Sequence, residues 1–374
     1  MNILKSSSPI RLIAFFLVAV MLICTFGFAV DGWSFKEKSN DKITGTAGGN
    51  AQKPSNSQSD NSGEEKEPAD TEPEIYVPKY TSYITGLEVS EALSKRRPIA
   101  VVMNADNAGY SISAADLLAE FPTEDGSTRI MALITDFSSA GKIGAILPTR
   151  NYISNLACYF GAITLSYGID DSVFYDSCDF SSSHFDLTQY SGYHYSEFSQ
   201  YQYTNSDLLF AGLKNASLST AKIEKELPYL FNEFGKEPIS ADTKAQSISI
   251  VYSDSSSTEL LYSADTSKYT LYKNDEIKKD MLNGKNVDFT NCLVLFADSI
   301  TYENFDGEQM VMNTLGQGTG YYFTSGTATG ISWSADANGN MTILDESGEK
   351  LTVNRGNTYI GFVKSSKVQN VTFK

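Results

Sequence analysis

Histidine is nearly missing from this sequence: His184 and His194 are the only two among 374 residues. Cysteine is little commoner, with Cys24, Cys158, Cys178 and Cys292, and no two of them form a C-x-x-C pair. A zinc site needs several such ligands at metal-binding spacing, so no metal site is expected and no cofactor is called for. No G-x-S-x-G elbow occurs either, and both histidines sit in a Ser/Tyr-rich stretch without a patterned nucleophile. The usual ground for nucleophilic catalysis is therefore lacking, and no residue is read as catalytic. Positive charge is also in deficit: 29 Lys and Arg against 45 Asp and Glu leave a formal net charge of −16. Such a chain repels phosphate backbones, so nucleic acid is not among its expected partners.

What is present begins with an apolar run. Lys5 and Arg11 precede Leu12–Val30, and no charged residue interrupts until Asp31. At about 1.5 Å per residue the run reaches roughly 28 Å, enough to cross a hydrocarbon core. Basic residues on the short amino side keep that side in the cytoplasm, so the bulk of the chain is expected outside, held at the cell membrane by one pass. Retention as a signal anchor is the first expectation. Cleavage after Ala29, with Gly27 at the small −3 position, and lipidation at Cys24 are the alternatives, the latter opposed by Ile23 where a small residue is wanted.

From Ser34 to about Lys79 the composition turns to Ser, Asn, Gly, Lys, Glu and Pro. This segment cannot bury enough apolar area to offset its ordering entropy, and a disordered tether spanning about 35–40 Å is expected. The remaining length exceeds one ordinary core, which predicts two folded units. The expected organisation is an anchor over 1–33, a disordered linker over 34–79, a mixed α/β domain over 80–238 and a β-rich domain over 239–374. The fold class is α+β, the second half mostly antiparallel.

Within the first half a short helix is expected over Ser90–Ser94, strands over Ile99–Met103, Leu117–Phe121, Thr128–Phe137 and Ala162–Leu165, and helices over Tyr152–Phe160, Asn205–Leu213 and Ser219–Phe234. Asp170–Tyr203, rich in Tyr, Phe, Ser and Asp, reads either as a long cleft-lining loop or as an irregular aromatic cap. Beyond Gln246 short strands, Ser247–Tyr252, Thr258–Tyr262, Lys268–Lys273, Cys292–Ala297 and Tyr359–Val363 among them, alternate with turns such as Asn283-Gly284 and Asn338-Gly339. Gly316, Gly318 and Gly320 precede no helix and no lysine stands near them to reach a phosphate, so close hairpin or bulge geometry explains them.

Six polar residues cluster around the strongest apolar runs: Asn104, Glu120, Glu124, Thr128, Arg129 and Arg150. They are read as a central ligand-binding set. One arrangement pairs Glu120 with Arg129 or Arg150 as a structural fork. Another presents the guanidinium groups to a carboxylate, such as a wall stem peptide. A third makes Glu120 or Glu124 the acid/base of glycan cleavage. On one extended strand those two carboxyls lie about 13 Å apart, beyond the roughly 5–9.5 Å that such hydrolysis uses, so the turn at Asp125-Gly126 has to shorten the gap.

At these residues the chain resembles the YerB-like lipoproteins of Gram-positive bacteria, which have two consecutive domains of unknown function. The resemblance rests on Ile84–Leu87, on Arg97–Asn107, most strongly on Ala115–Arg129, then on Lys142–Gly144 and Arg150. In the second half Gly316–Phe323, Ile331–Trp333 and Leu351–Ile360 look like the second domain's signature. It implies lipidation at Cys24. Two departures stand out: Leu147 replaces an arginine of the family pattern, and Ser166 replaces a histidine. Any family reaction that uses those two residues is lost in this copy, whereas a binding role is less affected. The sequence thus predicts a non-catalytic accessory or binding protein of the cell envelope, partnered by the membrane and by wall peptide, wall glycan or another envelope protein. The rival is an enzyme processing wall glycan or peptide through Glu120 or Glu124; a third class is a structural spacer.

Overall fold

The computed structural model describes residues 75–105, 109–169, 182–197, 201–304 and 307–374. The expected anchor, Cys24, most of the linker and much of Asp170–Tyr203 lie outside them. Among the described residues no helix is long and apolar enough to cross a membrane.

The first half carries α1 (Glu91–Ser94), β1 (Ile99–Asn104), β2 (Leu117–Pro122), β3 (Thr128–Ile134), β4 (Ile143–Ile146) and α2 (Asn151–Tyr159). There follow β5 (Ile163–Ser166), β6 (His184–Asp186), β7 (Tyr195–Glu197), β8 (Tyr201–Thr204) and α3 (Ser206–Asn215). The second half opens with β9 (Leu230–Phe231), β10 (Thr243–Lys244), β11 (Ser247–Ser253), β12 (Ser256–Ser263), β13 (Lys268–Lys273), β14 (Glu276–Ile277) and β15 (Asp288–Phe289). It continues with β16 (Asn291–Ala297), β17 (Ser299–Asn304), β18 (Gly307–Met312), β19 (Gly316–Thr324), β20 (Thr327–Ala335) and β21 (Met341–Leu344). Last come β22 (Thr352–Val353), β23 (Thr358–Lys364) and β24 (Val371–Phe373). Strand dominates, so the mixed α/β character expected of the first half is carried by only three α-helices among the described residues.

A 14-stranded sheet runs through both halves in the order β10-β20-β19-β16-β23-β2-β3-β1-β4-β8-β7, with β21 beside β20, β5 beside β1, and β6 beside β5. The seam is β23, which lies parallel to β2 from Leu117↔Thr358 to Glu120↔Gly361 and parallel to β16 on its other side. The described residues therefore pack as one compact unit. The position near 238 where two units were expected to meet lies in the connection between β9 and β10, while the halves share main-chain hydrogen bonds between β2 and β23.

Strand alternation divides the core into two layers. Ile99, Val101, Met103, Leu118, Ile130 and Ala132 face a six-stranded sheet built around β11–β13, meeting Ile248, Ile250, Leu260 and Leu271. Ala100, Val102, Ala119, Phe121, Met131 and Leu133 face α2, meeting Tyr152, Ile153 and Leu156. Burial on both faces explains why β1 and β2 read as unbroken apolar runs.

Two local expectations are corrected. Ser219–Phe234 is not a helix: Arg97 donates to the Thr220 carbonyl, Lys222 to that of Lys95, and Leu230–Phe231 pairs with β22. Pro228 lacks an amide hydrogen and pushes Leu227 out of helical conformation, and the strand partners supply what a helix would have supplied. The described parts of Asp170–Tyr203 are not irregular: β6 pairs parallel with β5, and β7 and β8 form a hairpin. The glycines of β19 form no hairpin turn or bulge: Gly316, Gly318 and Gly320 lie in unbroken register with β20, and close approach of β16 is what calls for glycine at two of them. A Cβ on Gly318 or Gly320 would come within 2.2 Å of the Phe296 or Val294 carbonyl of β16.

Candidate functional site

Thr128 and Arg129 are neighbours on β3, so their side chains leave opposite faces of the sheet. That single fact splits the six-residue set. Glu120 and Thr128 lie on the face covered by the six-stranded sheet. Arg129 and its register partner Asn104 lie on the face that carries α2, and Glu124, in the turn after β2, meets Arg150 at the N-terminal end of α2.

Glu120 is sealed, at 1% exposure. The expected fork with Arg129 or Arg150 is not formed; its partner is Lys273 of β13, Nζ to Oε1 at 2.7 Å. Thr128 Oγ1 donates to the same oxygen at 2.6 Å, and Thr258 Oγ1 and the Tyr359 hydroxyl donate to Oε2 at 2.8 and 2.7 Å. Lys273 also donates to Ser256 Oγ at 2.9 Å. Burial alone would push the Glu120 carboxyl upward, but the Lys273 charge and four donated hydrogen bonds outweigh it and hold it below the usual carboxylate range. Four elements from both halves thus converge on one carboxylate. The sequence held a signal for Lys273: in β13 Tyr269, Leu271 and Lys273 share the buried face by alternation, and an inward lysine requires an anion.

Glu124 and Arg150 form a bidentate fork at 2.5 and 2.7 Å. Glu124 Oε2 also accepts from the Met310 amide of β18 at 3.2 Å. Partial burial opposes its charge, yet the fork and that amide keep its carboxyl below the usual range. Arg129 Nη1 donates to the Pro148 carbonyl at 3.0 Å, two residues before Arg150. Beside it, Asp125 accepts from Thr123 Oγ1 and from the Ser127 amide and hydroxyl. Burial pushes the Asp125 carboxyl upward, but these bonds and the Arg129 charge keep it low. Glu124, Arg129 and Arg150 therefore gather near the α2 terminus, and Glu120 and Thr128 do not join them.

The two departures from the family pattern are structural. Leu147 packs its side chain against the core that carries α2. Ser166 Oγ donates to the Gly168 carbonyl at 2.8 Å and lies 2.7 Å from His184 Nε2. With its one hydrogen directed to Gly168, the serine accepts from the imidazole, so His184 is not poised to take a proton from it. Burial brings the His184 pKa down to about 4. Its folded value lies below its unfolded one, so the unfolded chain binds more protons between them and stability falls as pH drops through that window. We expect a loss of about 1.4 kcal/mol per pH unit from this group between about pH 6 and 4, reduced in His184→Gln; urea titrations at stepped pH read it directly. Cys158 of α2 is disulfide-bonded, and Cys292 is a buried free thiol.

The comparisons with known proteins agree with this architecture. YerB of Bacillus subtilis (strain 168), a candidate lipoprotein by its name, is 23% identical over 302 residues, covering 76% of this chain and 86% of that protein. The crystal structure of YerB from Bacillus subtilis matches with a TM-score of 0.65 at 19% identity, over 79% of this chain and 100% of that one, which shows a common fold. The N-terminal domain of the protein of unknown function DUF3048 matches residues 84–220, and its C-terminal domain matches residues 248–360. With both domains present in order and the fold held in common, the chain belongs to the YerB-like family.

Proposed function

We propose that this chain is an extracytoplasmic, membrane-attached accessory or binding protein of the cell envelope that carries out no bond-making or bond-breaking of its own. The observation that carries this reading is the state of the two carboxylates that the sequence singles out for acid/base work. Glu120 is closed off and neutralised by Lys273, and Glu124 is clamped by Arg150. Both carboxyls are held low, the opposite of what a general acid at neutral pH needs. The location is supported by the uncharged run Leu12–Val30, by the lipoprotein in the name of the Bacillus subtilis relative, and by the disulfide at Cys158, which suits an oxidising compartment. In this reading Arg129, with Asn104 beside it in register, faces the ligand, and the Glu124–Arg150 fork holds the main chain around them.

The full chain in detergent, incubated with purified insoluble peptidoglycan, is expected to release no soluble fragments, and Glu124→Gln is expected to behave the same. Release by the native chain that vanishes in Glu124→Gln would replace this reading with the wall-processing enzyme.

A further inference from the structure

The inner edge of β20 pairs without a break with β19, from Thr324↔Thr327 to Gly316↔Ala335. Its outer edge is interrupted. β10 covers Thr327 and Ala328, β21 covers Ser332–Ala335, and Thr329, Gly330 and Ile331 between them pair on the β19 side alone. Ala245 donates outward to the Gly326 carbonyl, and the Gly330 amide donates outward to Glu346 Oε1 at 2.9 Å. Even-numbered residues of this strand therefore turn their main-chain groups toward the break, as the period of two requires. A carboxylate on an exposed side chain occupies the place of a neighbouring strand's carbonyl.

Cavities open on both faces of the sheet at this one point. On the Tyr321 face a cavity of about 490 Å³ is lined by Asp242, Thr243, Tyr321, Gly330, Glu346 and Phe373. On the Tyr322 face one of about 270 Å³ is lined by Ile239, Ala241, Tyr322 and Leu351, among others. An extended chain laid in the break sends alternate side chains to the two faces, so each cavity receives a different residue. The first offers two carboxylates and two aromatic rings and suits a cation. The second is smaller, lined by short aliphatic side chains together with Ser240, Thr329 and Asp345, and suits a small side chain.

We propose that the break between β10 and β21 on the outer edge of β20 is a slot for a short extended segment of a partner polypeptide, bearing a lysine or arginine flanked by small residues. The incoming strand runs antiparallel to β20, as β10 and β21 do. The basic residue lies opposite Gly330, exchanges both main-chain hydrogen bonds with it and reaches the Tyr321 cavity. Its carbonyl displaces Glu346 from the Gly330 amide, and the freed carboxylate pairs with the basic group. The net charge of −16 favours such a partner at a distance as well. This slot is separate from the Glu124–Arg150 group, so its success or failure leaves the reading above intact.

The test uses the full chain in detergent and fluorescein-labelled hexapeptides followed by anisotropy. A peptide with a central lysine between alanines is expected to bind at least about ten-fold more tightly than its glutamate counterpart and than the same peptide methylated on the lysine main-chain nitrogen. Gly330→Pro removes the edge amide and is expected to abolish binding; Glu346→Gln is expected to narrow the preference for lysine over glutamate. Equal binding of the N-methylated and unmethylated lysine peptides would reduce the contact to charge alone and overturn the proposal. No binding of the lysine peptide at millimolar concentration would do the same, and both readings use the native chain, so they stand even where Gly330→Pro fails to fold.

Discussion

Replacing Lys273 by methionine is expected to cost about 3–5 kcal/mol, read as a lower urea midpoint at an unchanged slope. The side chains of Lys273 and Glu120 are 6% and 2% exposed. Without the ammonium, Glu120 keeps the hydroxyls of Thr128, Thr258 and Tyr359 but loses its counter-charge in a place water does not reach. Its carboxyl then has to take up a proton, and stability is spent doing so. In the native chain the Glu120 carboxyl is held below its ordinary range. The pair's contribution is therefore present above the unfolded carboxylate range and is lost as pH falls through the folded value. The double change Glu120→Gln with Lys273→Met is expected to cost less than the two single changes added, because each single change leaves the other half of one interaction behind. Additive effects would mean that the two groups are independent, and the role of this cluster as the bond between the halves would be gone.

The same cluster marks how far a sequence can be read. β1, β2, β11, β12, β13 and β16 were legible because apolar runs and period-two alternation are local properties of the chain. The alternation also contained more than it was asked for. It puts Thr128 and Arg129 on opposite faces, which rules out a single site made of both, and it turns Lys273 inward beside Tyr269 and Leu271. Ser219–Phe234 failed for a different reason: its main chain is claimed by residues 95–97 and by β22, and no local pattern announces a partner more than a hundred residues away. The insertion of β23 beside β2 is of the same kind. A sequence shows that Tyr359–Val363 is a strand, but its place between β16 and β2 is decided by packing across the whole molecule. For the candidate site, charge type predicted that Glu124 and Arg150 would be used; only the fold showed that they use each other.

Glu124→Ala is expected to destabilise the chain by about 3 kcal/mol, and Arg150→Met by only about 1–2 kcal/mol. The asymmetry follows from exposure. The Arg150 side chain is 3% exposed and that of Glu124 is 21% exposed. Removing the carboxylate takes two short hydrogen bonds from a guanidinium that solvent scarcely reaches, and it strips the Met310 amide of its acceptor as well. Removing the guanidinium leaves a carboxylate that can turn to water and keep its charge. The Glu124 carboxyl is held low in the folded state, so the fork's contribution persists above the ordinary carboxylate range and fades as pH falls through the folded value. This ordering also bears on function. A residue whose removal unfolds the chain loses every activity, so loss of binding or turnover in a Glu124 variant has meaning only at temperatures where that variant is still folded. Chemical denaturation of the two variants side by side decides it: Glu124→Ala no less stable than Arg150→Met would make the fork a loose surface pair, with Glu124 free to turn toward a ligand.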